Sequence, residues 1–521
     1  MSGLLGTNVT WETIEMEMQK ACGTTAKFGE KKMVTNIGDK KGMLSRIGLI
    51  EPNWINTSPT DKLPEKFIVK IPSLLPSEEA TKNVKLNGRL FRVMLKMISI
   101  RNIQIMMKLR KQKTLSKKEK LAATIEMLKM FHNREVEVYT ILTNQHHPLL
   151  PHTKVYAATK FGDDNTTDAY LITDYIPDVH FVPIYDSYTV NDLIPAIKWA
   201  ATYSAVGEKL PAEQLDFARG RDFMDICFND MMDVTQIEMV NMMIRAFIPK
   251  EKKPLTEKAL SVLNRFYLNP TMFAKFNDIC TFLGFNPVLI HGDMHTQNLL
   301  SIKKGDHYDI QAVIDYQTSS LSHPAQDLGK LICSCLSKID RRENTGPLLQ
   351  TYYDTFVEQL DGGKVPYTYE QLVDNYNLTF PFMAFMIIIG TTIYLMLYQM
   401  SDEERVKAMD IGMDKVYGLM EDVIETHERN MKKYPKLFEG APPEDPKHDR
   451  IHYVAGHSFK AVVLKTPSCC SQCTKFIYGL GKQGYTCQTC DKTVHKKCHQ
   501  DVELPCKFPA NPPVICDDNS E

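Results

Sequence analysis

The sequence predicts an α+β chain with a β-rich N-terminal part, a large helical part and a small β-rich module stapled by metal. Three observations predict it. Short apolar stretches closed by Pro or Gly dominate residues 30–72. Helical apolar spacing dominates residues 190–433, broken by a short β insert. Eight of the 13 cysteines fall between Cys469 and Cys516, interleaved with histidines, which reads as metal binding where nothing points to secretion. At 521 residues the chain exceeds what one core organises, so several domains are expected. Its net charge of −1 gives no long-range pull on nucleic acid, and no nucleic-acid partner is expected.

Taken in order, the opening "MSGLLGTNVTWETIEMEMQK" lacks a basic region followed by an apolar stretch, does not begin Met-Gly, and Cys516 lies too far from the last residue for prenylation. A cytoplasmic location is the expectation. "IGDKKGMLSR" places Gly38 and Gly42 about a turn, ahead of Ser45. "FIVKIP" is a short strand closed by Pro72, with Lys70 alone among apolar neighbours. On that strand alone Lys70 reads as snorkelling to solvent. The basic run from Lys108 to Lys120 reads as a solvated surface. "EMLKMFHNREVEVYTIL" is helical, and "AYLITDYIP" is a strand ending at Pro177. Trp199, Ala200, Tyr203 and Val206 share one helical face. "PVLIHGDMHTQNLLSI" and "YDIQAVIDYQ" read as two strands, each followed by polar residues, and helix returns from Asp327 to Lys433. Thr379 to Met400 carries no charge over 22 residues, long enough to span a bilayer. Pro381, Gly390, Tyr394 and Tyr398 dilute it, and Asp402 to Arg405 give no positive flank, so a buried helix is the better reading. The expected domains are 1–433, a Pro-rich linker over 434–456, a finger over 457–506 and a disordered tail over 507–521.

Moving a phosphoryl group needs a base for the attacking hydroxyl, Mg²⁺ to neutralise the phosphates, a Lys to hold them and a loop to cover them. "VLIHGDMHTQNLL" interrupts an apolar run with His291, Asp293 and Asn298. The D-x4-N spacing lets acid and amide converge from one short loop. Asp293 is expected to accept the hydroxyl proton, and Asn298 to bind Mg²⁺ through its carbonyl oxygen. The strand Ala312-Val313-Ile314 ends in Asp315, placed as the second metal ligand. Glu135, on the next predicted helix, gives Lys70 an ion-pair partner and so a phosphate-holding role. Gly38 and Gly42 are then candidates for the covering loop. Asp327 reads as a helix cap, and His295 as a loop or acceptor-pocket residue.

The stretches "FGEKKMVTNIGDKKGMLSRIGLIE", "LPEKFIVKIPS", "FHNREVEVY", "HGDMHTQNLL" and "VIDYQTSSLSHPAQDLGKL" resemble the nematode choline/ecdysteroid-kinase-like family, related to aminoglycoside phosphotransferases. The resemblance covers nearly all of residues 1–433. It implies a two-lobed protein-kinase-like fold that phosphorylates a small hydroxylated molecule with ATP, with Lys70, Glu135, Asp293, Asn298 and Asp315 at the motif positions. Relatives often carry an aromatic residue after "HGD", where this chain has Met294-His295, a departure that bears on the acceptor rather than the chemistry. Protein-kinase activity is the lesser reading: no A-P-E motif follows Asp315, and Gly292 stands where "HRD" has Arg.

From His457 the spacing is H-x12-C-x2-C-x13-C-x2-C-x4-H-x2-C-x7-C, ending at Cys506. Eight ligand-type residues make two tetrahedral zinc sites of three thiolates and one imidazole each. So short a segment buries little core, and zinc supplies about 10–16 kcal/mol in comparable peptides. The spacing resembles the phorbol-ester/diacylglycerol-type zinc finger. That resemblance implies interleaved sites, His457, Cys487, Cys490 and Cys506 in one, and Cys470, Cys473, His495 and Cys498 in the other. It also implies that Pro467, Gly479 and Gln483 shape a lipid groove, and Phe476, Ile477, Tyr478 and Leu480 form an apolar tip that would enter a bilayer. Seven Lys against three acidic residues in the finger suit anionic lipid. The expectation is an ATP- and Mg²⁺-dependent small-molecule kinase with two structural Zn²⁺, recruited reversibly to diacylglycerol-containing membrane. The alternative is a catalytically silent kinase-like scaffold that docks through the finger.

Overall fold

The computed structural model describes residues 3–38, 44–75, 117–162, 168–231, 234–398, 400–442, 452–455, 457–464, 468–478, 483–487, 490–502 and 506. Gly42, Pro467, Gly479 and Leu480, the basic run up to residue 116 and the tail from 507 lie outside them. The described residues fall into two compact units, one ending at Ala441 and the other beginning at Pro442.

The first unit opens with α1 (Trp11–Cys22), whose N-terminus is capped by the Thr10 hydroxyl accepting from Thr13 N–H. A five-stranded antiparallel sheet follows: β1 (Met33–Asn36), β2 (Ser45–Glu51), β3 (Phe67–Pro72), β4 (Val155–Thr159) and β5 (Tyr170–Asp174), in the order β1-β2-β3-β5-β4. The alternation in β3 fixes its faces. Phe67, Val69 and Ile71 are buried in a cluster with Ile14 and Met18 of α1. Lys70 therefore belongs to the opposite face. There it meets α2 (Lys117–Gln145), the helix read from "EMLKMFHNREVEVYTIL".

The helical part carries the larger core. α3 (Val190–Lys209) buries Trp199, Ala200, Tyr203 and Val206 as the spacing requires. It packs closely on β6 (Val288–Ile290): a Cβ on Gly207 would lie 2.4 Å from Leu289 Cβ. The stretch expected to form one strand from Pro287 is two, β6 and β7 (Leu299–Lys304), because the polar loop between them leaves the sheet direction. β7 pairs antiparallel with β8 (His307–Val313), and β6 pairs with Ser320–Ser322. α4 (Ala325–Cys335), α5 (Tyr369–Leu397) and α6 (Asp402–Lys433) complete the part that bears on the site. α5 is the one helix among the described residues long and apolar enough to cross a membrane, and 78% of its apolar window is buried inside the protein. That is the behaviour of a core helix, apolar all round because neighbours surround it. α4 presses against it where Gly329 leaves no room: a Cβ there would lie 2.6 Å from Met383 Cγ.

Both described ends of the expected linker are structured. Leu437 and Phe438 are buried in the first unit's core, and His452–Val454 pairs with His457–Phe459 as the first strand of the finger. The finger's sheet continues through Gly484–Cys487 and Thr493–His495.

Candidate functional site

The site of the first unit is a chain of contacts between sequence-distant residues. Lys70 Nζ donates to Glu135 Oε1 and Oε2 at 2.8 and 2.7 Å, and to Asp315 Oδ1 at 2.7 Å. These partners lie 65 and 245 residues away in the chain. Burial alone would depress the Lys70 ammonium, but the Asp315 and Glu135 carboxylates outweigh it and hold the lysine protonated. Burial raises the Glu135 carboxyl, opposed by the Lys70 charge and the Tyr316 backbone N–H. Glu135 is 2% exposed. The Lys70 side chain is 15% exposed and its ammonium meets two carboxylates, so the snorkelling reading does not describe it.

Asp315 follows β8 with φ 68° and ψ 57°. An Asp tolerates this left-handed conformation at a cost that the surroundings must hold in place. Gln317 Nε2 donates to its Oδ2 at 3.3 Å.

The loop between β6 and β7 brings the other residues. His291 is fully buried and held neutral by that burial. Its Nδ1 accepts from Asp293 N–H at 3.2 Å, so its Nε2 is the donor to Ile314 O at 3.0 Å. One imidazole thus ties the Asp293 loop to the residue before Asp315, which brings the two acids into one neighbourhood. Asn298 Nδ2 donates to Asp293 O at 2.8 Å, and Ile314 N–H donates to Asn298 O at 3.1 Å. That amide orientation leaves Asn298 Oδ1 for another partner. The Asp293 and Asp315 side chains are 22% and 27% exposed, open to solvent on one side.

Asp293 has two neighbours that the sequence reading did not foresee. Lys330 Nζ donates to its Oδ1 at 2.8 Å, and His295 Nε2 lies 3.6 Å from its Oδ2. Burial would raise this carboxyl, but Lys330 and then His295 hold it well below the usual carboxylate range. Asp327 does not cap α4, whose N-cap Pro324 has no side-chain bond to give. Instead Asp327 accepts from the N–H groups of His291 and Gly292, both at 2.8 Å. The signal available for Lys330 was its i+3 spacing from Asp327 on one helix. Gly38 lies just after β1, its N–H donating to Asn36 Oδ1 at 3.1 Å.

In the finger, His457, Cys487, Cys490 and Cys506 bring their ligand atoms within 4.8 Å of one another, and so do Cys470, Cys473, His495 and Cys498. Both quartets group the residues that the resemblance implied. Two Cys-x2-Cys turns share one geometry: the residue after the second Cys, Thr474 or Asp491, is left-handed and returns its N–H to the first Cys carbonyl. His495 Nε2 is 2.9 Å from Phe476 O, which fixes the donor there and leaves Nδ1 facing Cys473 Sγ at 3.3 Å. Three sulfurs and one imidazole nitrogen fit a tetrahedral zinc. At the tip, Phe476 and Tyr478 are 45% and 86% exposed, but Ile477 is buried in the finger core and is not part of the exposed tip. Val463, missed from the sequence, is 59% exposed. Gln483 Oε1 accepts from Leu464 N–H at 2.8 Å, tying two segments of the tip together.

An antiparallel sheet with a Lys–Glu pair, set beside a helical lobe that supplies two acids from separate loops, is the two-lobed kinase-like fold, joined here to a Cys/His finger. The chain belongs to the family described as "Uncharacterized oxidoreductase dhs-27", which matches residues 1–92 and 90–431. Residues 457–509 match the phorbol esters/diacylglycerol binding (C1) domain. Protein kinase C-like 1B of Caenorhabditis elegans is 37% identical over 112 residues, 19% of this chain and 16% of that relative. Protein kinase C of Drosophila melanogaster is 54% identical over 57 residues, 11% of this chain and 8% of that relative. The chain spans less than a fifth of the length of either. Among solved structures, a microcompartment-associated aminopropanol kinase is 12% identical with a TM-score of 0.38, covering 81% of this chain and 98% of its own. The Plasmodium vivax ethanolamine kinase is 12% identical with a TM-score of 0.33, covering 77% and 85%.

Proposed function

We propose that the first unit transfers a phosphoryl group from ATP to a hydroxyl of a small molecule, and that the finger recruits it to diacylglycerol-containing membrane. The observation that carries this reading is the Lys70 ammonium shared between Glu135 and Asp315. Such an arrangement places one cation and one acid side by side, with the lysine's orientation fixed from behind by a buried glutamate. Lys70 would hold the phosphates. Asp315 and Asn298 Oδ1 offer hard oxygen donors, the chemistry Mg²⁺ takes. When bound, Mg²⁺ neutralises the phosphate charge. Asp293 is ionised at neutral pH and would orient the acceptor hydroxyl and take its proton as the new P–O bond forms. Gly38 and Gly42 would belong to the loop that covers the nucleotide.

The family description names an oxidoreductase, but the described strands give no dinucleotide-binding unit of the parallel type. Every pairing among them is antiparallel, whereas the βαβ nucleotide fold needs parallel neighbours. For the finger, exposed Phe476, Tyr478 and Val463 would supply the apolar tip, and its seven lysines the positive charge, that an anionic bilayer recognises.

The test is ATP turnover against a panel of small alcohols for the wild type and Asp293→Asn. Loss of about 10²–10⁴-fold is the expected effect of removing the base. Equal background turnover in both would favour the silent scaffold.

A further inference from the structure

We infer that Lys330 is a positioning residue that aims the Asp293 carboxylate, an inference that rests on the phosphotransfer reading of that loop. Lys330 is 3% exposed. Its Nζ donates to Gly292 O at 2.6 Å and to Asp293 Oδ1 at 2.8 Å, and lies 4.0 Å from the centroid of the Phe223 ring. An ammonium has three donors. Two are committed to one loop, and the aromatic face covers the remaining side.

A buried lysine gives up solvation and rotamer freedom, so it persists only where its partners compensate. Here its hydrogen-bond partners belong to two consecutive residues, Gly292 and Asp293. Asp327, one turn earlier on α4, accepts from the N–H groups of His291 and Gly292. Lys330 donates to the Gly292 carbonyl and to the Asp293 side chain. A single helical turn therefore holds donors, acceptor and carboxylate of the loop, and fixes the loop's rotation as well as its position. The consequence for Asp293 is specific. Its Oδ1 is engaged by Lys330, so an acceptor hydroxyl would meet Oδ2, the oxygen that His295 Nε2 faces at 3.6 Å. Lys330 is too buried to meet a substrate in an open cleft, so it acts through Asp293.

Lys330→Met, Lys330→Gln and Lys330→Arg in the full zinc-loaded chain test this beside wild type and Asp293→Asn. Two quantities are read: turnover constants for MgATP with the alcohol panel, and amide hydrogen exchange over residues 288–300. Lys330→Met is expected to lower kcat about 100-fold, the scale of a small misplacement of a reacting group, with KM for MgATP unchanged. Arg should recover part of the loss, and Gln serves as the polar variant if Met impairs folding. Exchange of the 291–293 amides should quicken in Lys330→Met while β2 and β3 stay protected. If Lys330→Met keeps its kcat while Asp293→Asn loses it, the positioning role is overturned and the phosphotransfer reading stands. If wild type turns over no faster than Asp293→Asn, that reading falls. Exchange then decides the remainder: unchanged protection of 291–293 in Lys330→Met overturns the clamp, and faster exchange retains it.

Discussion

Gly292 shows why single residues in this loop resist replacement. Its φ is +83°, and a Cβ there would lie 2.4 Å from the Thr318 carbonyl oxygen. That contact is with backbone, so it cannot be relieved by a side-chain rotation, and the left-handed conformation adds its own cost. Gly292→Ala is therefore expected to destabilise the first unit by about 1–3 kcal/mol. It should also displace Asp293, so that turnover falls even at temperatures where the variant is folded. Thermal unfolding and kcat measured together check this; wild-type values for both would show that the loop relaxes freely. The same residue marks how far the sequence could be read. The position was legible as Gly in place of the Arg of "HRD", but the reason for Gly, a close approach to Thr318, lies 26 residues downstream and has no local signature. Lys70 and Glu135 were legible because a lone charge in an apolar strand is conspicuous and an acid on the next helix offers it a partner. Lys330 was not, because a lysine on a helix is ordinary until the neighbouring elements are known to cover it.

At the scale of elements, three helices or their flanks carry neutral histidines inside the core: His132 on α2, His323 just before α4 and His427 on α6, each under 8% exposed. Burial depresses all three to about 4 from an ordinary 6.5. The sign follows from linkage. Between pH 6.5 and 4 the unfolded chain binds protons that the folded chain excludes, so stability is full above 6.5 and is lost progressively as pH falls toward 4. All three tryptophans, Trp11, Trp54 and Trp199, lie in the first unit, so tryptophan fluorescence reports that unit's unfolding without the finger. Its midpoint should drop between pH 7.5 and 5, and His427→Gln should flatten that drop in part. A midpoint independent of pH over this range would mean that these imidazoles keep their protons in the fold. Element identity was largely readable beforehand, since period-2 and period-3.6 patterns survive in β3, α2 and α3. Strand boundaries were not: Leu299 and Leu300 resume the apolar run after the polar loop, and β6 and β7 are separate strands that pair with different partners.

In the whole molecule, two compact units are stabilised by different physics. The first holds a core of large buried side chains, among them Trp199, Tyr203, Phe382 and Phe385. The finger's buried cluster is small, built around Phe459, Ile477, Val494 and Val502, and four of its members are cysteines of the two quartets. A core of that size does not offset the ordering cost of the segment, so zinc must supply the difference, about 10–16 kcal/mol in comparable peptides. Removing zinc with a zinc-selective chelator that leaves Mg²⁺ free, at neutral pH, should therefore unfold the finger alone. Sedimentation with vesicles of phosphatidylserine and diacylglycerol should be lost, while the tryptophan-monitored midpoint and ATP turnover in solution stay as they were. Cys490→Ser should reproduce the chelated behaviour without chelator, because two thiolates and one imidazole no longer close a tetrahedral structural site. The vesicle arm separates two roles of the exposed tip. If Tyr478→Ser keeps its zinc and still sediments with the vesicles as well as wild type, the tip does not insert, and the lysines alone bind the surface. In that case raising the ionic strength should release the protein, since attraction confined to the surface is screened within about 10 Å at 0.1 M salt.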